Sequence, residues 1–136
     1  MPKEYAKPLP DITDDNRPFW EGCKRHELLL QKCGDCGQVR YHSPICPECW
    51  STEHQWVQAG GRGKVYTWTV FHQNYHPAFE PDLPYNVAIV ELEEGPHMLT
   101  NLIEITNEDI RPDMAVEIAW DDVTEEITLP KFRPLK

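Results

Sequence analysis

Four of the chain's five cysteines fall within KCGDCGQVRYHSPICPECW, as Cys33-x-x-Cys36 and Cys46-x-x-Cys49 with nine residues between the pairs. Each Cys-x-x-Cys turn can aim two thiolates at one tetrahedral centre about 2.3 Å from every sulfur, so the spacing predicts a metal cage. Gly37, directly after Cys36, can take a positive φ and turn backbone N–H groups toward sulfur, and Pro47 stiffens the second turn. Four sulfur ligands leave no open position for water or substrate, so one structural ion is expected, zinc first and iron as the alternative. Four ordinary buried thiols, or a redox dithiol that would normally carry a single pair in a βαβ setting, are the weaker readings. Cys23 stands outside both pairs, beside Phe19 and Trp20, and reads as a small buried hydrophobe rather than a nucleophile.

Nothing else in the chain assembles a catalytic set. The six histidines (His26, His42, His54, His72, His76, His97) are scattered, and no serine sits in a nucleophile-elbow pattern, so no catalytic residue is expected. The 23 acidic residues outnumber the 13 basic ones, for a formal charge of -10. Four thiolates and one divalent ion would lower that charge further. Nucleic acid is therefore an unfavoured partner, because affinity for phosphate backbones comes largely from Lys and Arg. No apolar run approaches the roughly 20 residues of a membrane span, and MPKEYAKPLPDITDDN lacks the apolar core of a secretory signal. No membrane is expected as partner. An odd cysteine count arranged in Cys-x-x-Cys pairs fits metal binding in a reducing compartment, here the cytoplasm.

The elements that must position the cage are mostly strands. The first sixteen residues, with Pro2, Pro8 and Pro10, read as an extended arm. Asp15 or Asn16 can then cap a short helix over about 17–26 that carries Pro18 in its first turn. ELLLQKC and QVRYH suit a hairpin leading into and out of the first cysteine turn. Beyond Gly60, Gly61 and Gly63, KVYTWTVFH, YNVAIVELE, HMLTNLIEI, MAVEIAW and EEITL are five strands rich in β-branched and aromatic residues. Five strands, the first long enough to bend, fit a small barrel of the oligonucleotide/oligosaccharide-binding (OB) shape. The segment 73–84, QNYHPAFEPDLP, is a long loop of the kind that usually carries function. The mean hydropathy of -0.61 and 13 prolines agree with a loop-rich, mainly β chain. Residues 1–26 read as arm and helix, 27–58 as the cysteine segment, and 59–136 as the barrel.

The ordered set RPFWEGCKRHELLLQKCGDCG, CPEC, GRGKVYTWTVFH, PYNVAIVELEEG and LPKFRP resembles the DUF35 family over nearly the whole chain. The resemblance implies an N-terminal helix, a rubredoxin-like zinc ribbon and a C-terminal five-stranded OB fold. Family members often carry paired prolines where this chain has His42-Ser43-Pro44, and a glycine where it has Asp113. The resemblance further implies a non-catalytic companion subunit for thiolase-superfamily enzymes, acyl-CoA thiolases or lipid-transfer-protein-like aldolases, that holds enzyme partners together or completes a CoA channel. Coenzyme A needs cations for its phosphates and an apolar or aromatic wall for the rest. Arg62, Lys64, Lys131, Phe132 and Arg133 are candidates for those contacts, and Tyr75, His76 and Phe79 for lining a channel or facing the partner. A stand-alone acyl-CoA binder or hydrolase, and a single-strand binder that stacks bases on aromatics, are the alternatives.

Overall fold

The computed structural model describes residues 7–41 and 43–135. The start of the expected arm and His42 lie outside these. Residues 7–13 form neither helix nor strand, and Lys7 pairs with Asp82 while its ammonium lies 5.5 Å from the centre of the Phe79 ring.

Helix α1 runs Arg17–Lys24 and buries Phe19, Gly22 and Cys23. Asn16 occupies its N-cap position, but the expected side-chain cap is not formed. The Asn16 carboxamide turns back on the preceding loop, accepting from the Thr13 N–H at 2.7 Å and donating to the Asp11 carbonyl. Phe19 meets Trp20 and Tyr41 edge-on, with ring centres 5.1 and 5.3 Å apart, which seats the helix on the cysteine-bearing sheet. Burial also pushes the Cys23 thiol up to about 12, so it stays protonated and inert.

That small sheet has the order β2-β1-β3, from β1 (Leu29–Cys33), β2 (Val39–Arg40) and β3 (His54–Gln58). The hairpin of β1 and β2 was legible in sequence; the third strand, pairing Cys33 with His54 and Leu29 with Gln58, was not. Within β2, Arg40 is buried. One of its nitrogens donates to the Ser43 carbonyl at 3.1 Å, while Nε and Nη1 have no hydrogen-bond partner among the described residues.

The second sheet is five-stranded and antiparallel, in the order β6-β5-β4-β7-β8: β4 (Arg62–Phe71), β5 (Tyr85–Leu92), β6 (His97–Thr100), β7 (Ala115–Asp122) and β8 (Thr128–Pro134). A register break between Val65 and Thr67 bends β4, as an extra residue in one strand does, and lets its first residues serve β7 as well as β5. At Gly63 a Cβ would come within 2.4 Å of the Glu91 carbonyl, so only glycine fits where β4 crosses β5. Strict alternation along β5 turns Asn86, Ala88, Val90 and Leu92 inward. The sheet curls until residues beyond β6 meet β8: the Ile103 N–H donates to the Phe132 carbonyl at 2.8 Å, and the Phe132 N–H to the Asn101 carbonyl at 3.1 Å. This closure cuts the expected strand over 97–105 short after Thr100. Asp113 takes φ +61, a conformation aspartate tolerates better than most residues.

One hydrophobic core runs through all three parts. Phe19, Cys23, Leu28 and Leu30 share it with Val65, Val90, Met98, Val116 and Phe132. Among the described residues no helix is long and apolar enough to cross a membrane.

A polar latch joins the helix to the barrel. His26 stacks on Trp120 with ring planes 10° apart and reaches Asp122 with Nε2 at 3.0 Å; the Thr128 hydroxyl donates to the same carboxylate at 2.5 Å. The Thr128 hydrogen bond first, and His26 second, hold the Asp122 carboxyl below its ordinary value. A lowered folded-state pKa adds stability that is present above the unfolded value of about 4 and is lost as pH falls through the folded one. The melting temperature of Asp122→Asn should therefore lie below wild type at neutral pH, with the gap closing in acid. A constant gap across that titration would disprove the latch.

Candidate functional site

The two cysteine turns are built alike. In the first, the Gly37 N–H donates to the Cys33 carbonyl at 3.1 Å with Gly37 at φ +79; in the second, the Trp50 N–H donates to the Cys46 carbonyl at 2.9 Å with Trp50 at φ +64. The Ser51 hydroxyl hydrogen-bonds Asp35 and so ties the two turns together. The Gly34 N–H donates to the Glu53 carbonyl at 2.8 Å, anchoring the first turn to the entry of β3.

The four sulfurs converge. Sγ of Cys33 lies 3.5 Å from that of Cys49, Sγ of Cys36 lies 3.6 Å from that of Cys46, and all four are within 4.8 Å of one another. A tetrahedron with arms of 2.3 Å has edges of about 3.8 Å, so these positions fit a four-sulfur ion without rearrangement. All the cysteines are free, and no histidine or carboxylate joins the group among the described residues. Cys33 and Cys46 are buried while Cys36 and Cys49 face solvent.

Backbone N–H groups prepare the charge. The amides of Cys36 and Asp35 bring the Cys33 thiol down to about 6, and the Cys49 amide lowers Cys46. The Ser51 amide favours a Cys49 thiolate, but contact with the Cys33 sulfur and burial outweigh it and push Cys49 up to about 12. Cys36 is raised as well, because burial and the neighbouring sulfurs outweigh the Gln38 amide. A divalent ion held by the four sulfurs would displace the protons still bound there.

The other sequence candidates separate into three places. Phe79 and Lys131 meet at a concavity of about 280 Å³ beside Lys7, Tyr85 and Asn107. Its two lysines are answered by acids, Lys7 by Asp82 and Lys131 by Asp121, the latter at 2.6 Å. Tyr75 and His76 flank it on the 73–84 loop. Tyr75 is exposed and edge-on to Phe71, and His76 Nδ1 accepts from the Ala78 N–H at 3.1 Å, capping a short 3-10 turn (Pro77–Asp82). Arg62 and Lys64 sit at the opposite end of β4, roughly 23–30 Å along the strand from Phe71. Lys64 is balanced there by Glu91 and Asp113, each at 3.9 Å. Arg133 is held by Glu104 at 3.3 Å and Glu117 at 3.4 Å, which raises its pKa further. Phe132 is fully buried in the core and offers no surface for a ligand.

Residues that sequence reasoning passed over also line the concavity. Asn86 donates to the Leu102 carbonyl at 2.9 Å and to Asn107 Oδ1 at 3.1 Å, and its own Oδ1 accepts from the Leu102 N–H at 2.7 Å. Asparagines read as turn residues in a sequence. Here Asn86 is an inward strand position, and β5 alternation was the signal that could have found it.

Comparison with known proteins places both parts. Residues 20–55 match the rubredoxin-like zinc ribbon domain of ChsH2, and residues 56–121 match the C-terminal OB-fold domain of ChsH2. A probable enoyl-CoA hydratase alpha subunit of Thermomonospora curvata is 42% identical over 129 residues, which are 94% of this chain and 40% of that protein, so the chain spans well under half of that relative's length. A DUF35 domain-containing scaffold protein of Methanocaldococcus jannaschii is 36% identical over 86% of this chain and 89% of its own. Among solved structures, an Ltp2-ChsH2(DUF35) aldolase superposes with a TM-score of 0.82 at 42% identity, covering 93% of this chain and 98% of that one.

Proposed function

Because the chain belongs to the DUF35 family, with the ChsH2-type zinc ribbon and OB fold, we propose that it is a non-catalytic accessory subunit of an acyl-CoA thiolase or aldolase. In this reading residues 1–26, 27–58 and 59–136 serve as arm and helix, ribbon and barrel of one cytoplasmic chain. The observation that carries it is the likeness, over almost the full length of both chains, to a chain of an Ltp2-ChsH2(DUF35) aldolase. Cys33, Cys36, Cys46 and Cys49 hold one zinc ion, which supplies cross-linking of the two turns and no open coordination position.

The concavity at Phe79, Tyr85 and Lys131 supports a share in CoA binding, since it combines an aromatic wall with two ammonium groups. Both lysines must leave a carboxylate to meet a phosphate, so the contact is an auxiliary one that the enzyme partner completes. The reaction itself belongs to that partner.

Affinity purification of the tagged chain from its own host, followed by native mass spectrometry, tests the proposal. The expected result is a stoichiometric complex with a thiolase-superfamily subunit and one zinc per copy of this chain. Recovery of the zinc-loaded chain alone would overturn it.

A further inference from the structure

The two cysteine turns share a backbone, and their sharpest difference is at the residue after the second cysteine. Gly37 fills the left-handed position of the first, where glycine has no steric cost. Trp50 fills the same position of the second at φ +64, where a bulky side chain is a genuine outlier and stores strain. The backbone bond to Cys46 holds the turn, but the side chain gains nothing among the described residues: Trp50 is 80% exposed and makes no ring contact with any of them. Ile45, on the other side of the same turn, is 50% exposed. A turn that glycine would relax instead presents the largest apolar side chain to water.

From this we infer that the second cysteine turn is a docking anchor, with Trp50 and Ile45 entering an apolar slot on the enzyme subunit. The inference rests on the accessory-subunit reading and adds the surface by which the subunit is held. Tryptophan is the residue type most enriched among interface positions that carry binding energy. Charge fixes the kind of slot. Asp35, Glu48 and Glu53 are exposed around the two turns, and four thiolates around a divalent ion add negative charge beneath them. The slot is therefore rimmed with Lys or Arg. A second copy of this chain, at a formal charge of -10, and an anionic membrane both repel this face.

The experiment uses the full zinc-loaded chain and the thiolase-superfamily subunit that co-purifies with it, with affinity measured by calorimetry. Trp50→Gly should weaken binding by about 30-fold or more and Ile45→Ser by about tenfold, while zinc content is unchanged. The melting temperature of Trp50→Gly should be equal to or above wild type, because the strain is relieved as binding is lost. Wild-type affinity in both variants would overturn the anchor and leave the accessory-subunit reading intact. Failure of the wild-type chain to capture such an enzyme would overturn both. Loss of zinc or a lower melting temperature in Trp50→Gly would assign Trp50 to the fold and would equally overturn the anchor.

Discussion

Cys46→Ser yields a chain without metal and with its ribbon unfolded. The Cys46 sulfur is fully buried, lies 3.6 Å from that of Cys36, and receives backbone N–H groups from Cys49 and Glu48. A hydroxyl there is a poor zinc ligand at neutral pH, and its shorter reach leaves the buried amides unsatisfied. Structural zinc sites of this kind contribute about 10–16 kcal/mol of binding free energy that is also folding free energy. That equals or exceeds the whole stability of a typical domain, about 5–15 kcal/mol. The residues around the sulfurs, Gly34, Asp35, Gly37, Glu48 and Trp50, are exposed, so no packing at the two turns replaces the cross-link. Elemental analysis should find no zinc in the variant, and its melting transition should fall far below wild type. Chelation of the wild-type chain should reproduce the change, and acid should too, since protons compete for the same four sulfurs. Retention of full zinc content with unchanged melting would remove the structural role from this site.

Phe132→Ala is expected to cost about 3–5 kcal/mol, the range for a large aromatic deleted from a packed core. Phe132 is 0% exposed, opposes Ile118 across β7 and β8, and has both backbone groups engaged by residues 101 and 103 where the barrel closes. Removing its ring empties the point at which β8 meets the return of β6, and such a closure cannot collapse without breaking those hydrogen bonds. Urea denaturation should register the loss, with Phe132→Leu recovering most of it. A surface contact residue would behave in the opposite way, changing ligand affinity and leaving the denaturation midpoint where it was.

Phe132 also illustrates where the sequence was hard to read. LPKFRP near the C-terminus carries two cations and two prolines, which suggests an exposed tail. In the structure it is β8, the last strand of the sheet, and Pro130 and Pro134 are tolerated because their nitrogens, like that of Phe132, face away from β7, on a side where the closing bridge is confined to Phe132. The strand therefore extends well beyond Leu129, where EEITL stops. HQWVQ was missed for a different reason. Its alternation spans only five residues and is mostly polar, and the partner that makes it a strand, β1, lies more than twenty residues upstream. By contrast the cysteine cage was legible in full, because its geometry is set by local turns whose sequence spacing is the signal. The strands over 62–71 and 85–92 were legible too, since β-branched and aromatic residues at period two leave few other structures open. The scattered cations were not, because a sequence cannot say that Lys64 and Arg133 already have carboxylates beside them.

The core shared by helix, ribbon and barrel bears on how this chain can be exchanged or rebuilt. Leu28 and Leu30 belong to the cysteine segment by sequence and to the core shared with the barrel by packing. A ribbon cut out and grafted onto another protein would carry those side chains into water, and the barrel left behind would have a hole where they had been. The heritable module is therefore the helix, ribbon and barrel together. Chimeras between relatives should cross over at surface turns such as Gly95-Pro96 and avoid the ribbon–barrel seam, where two lineages' side chains would have to fit a cavity neither had shaped.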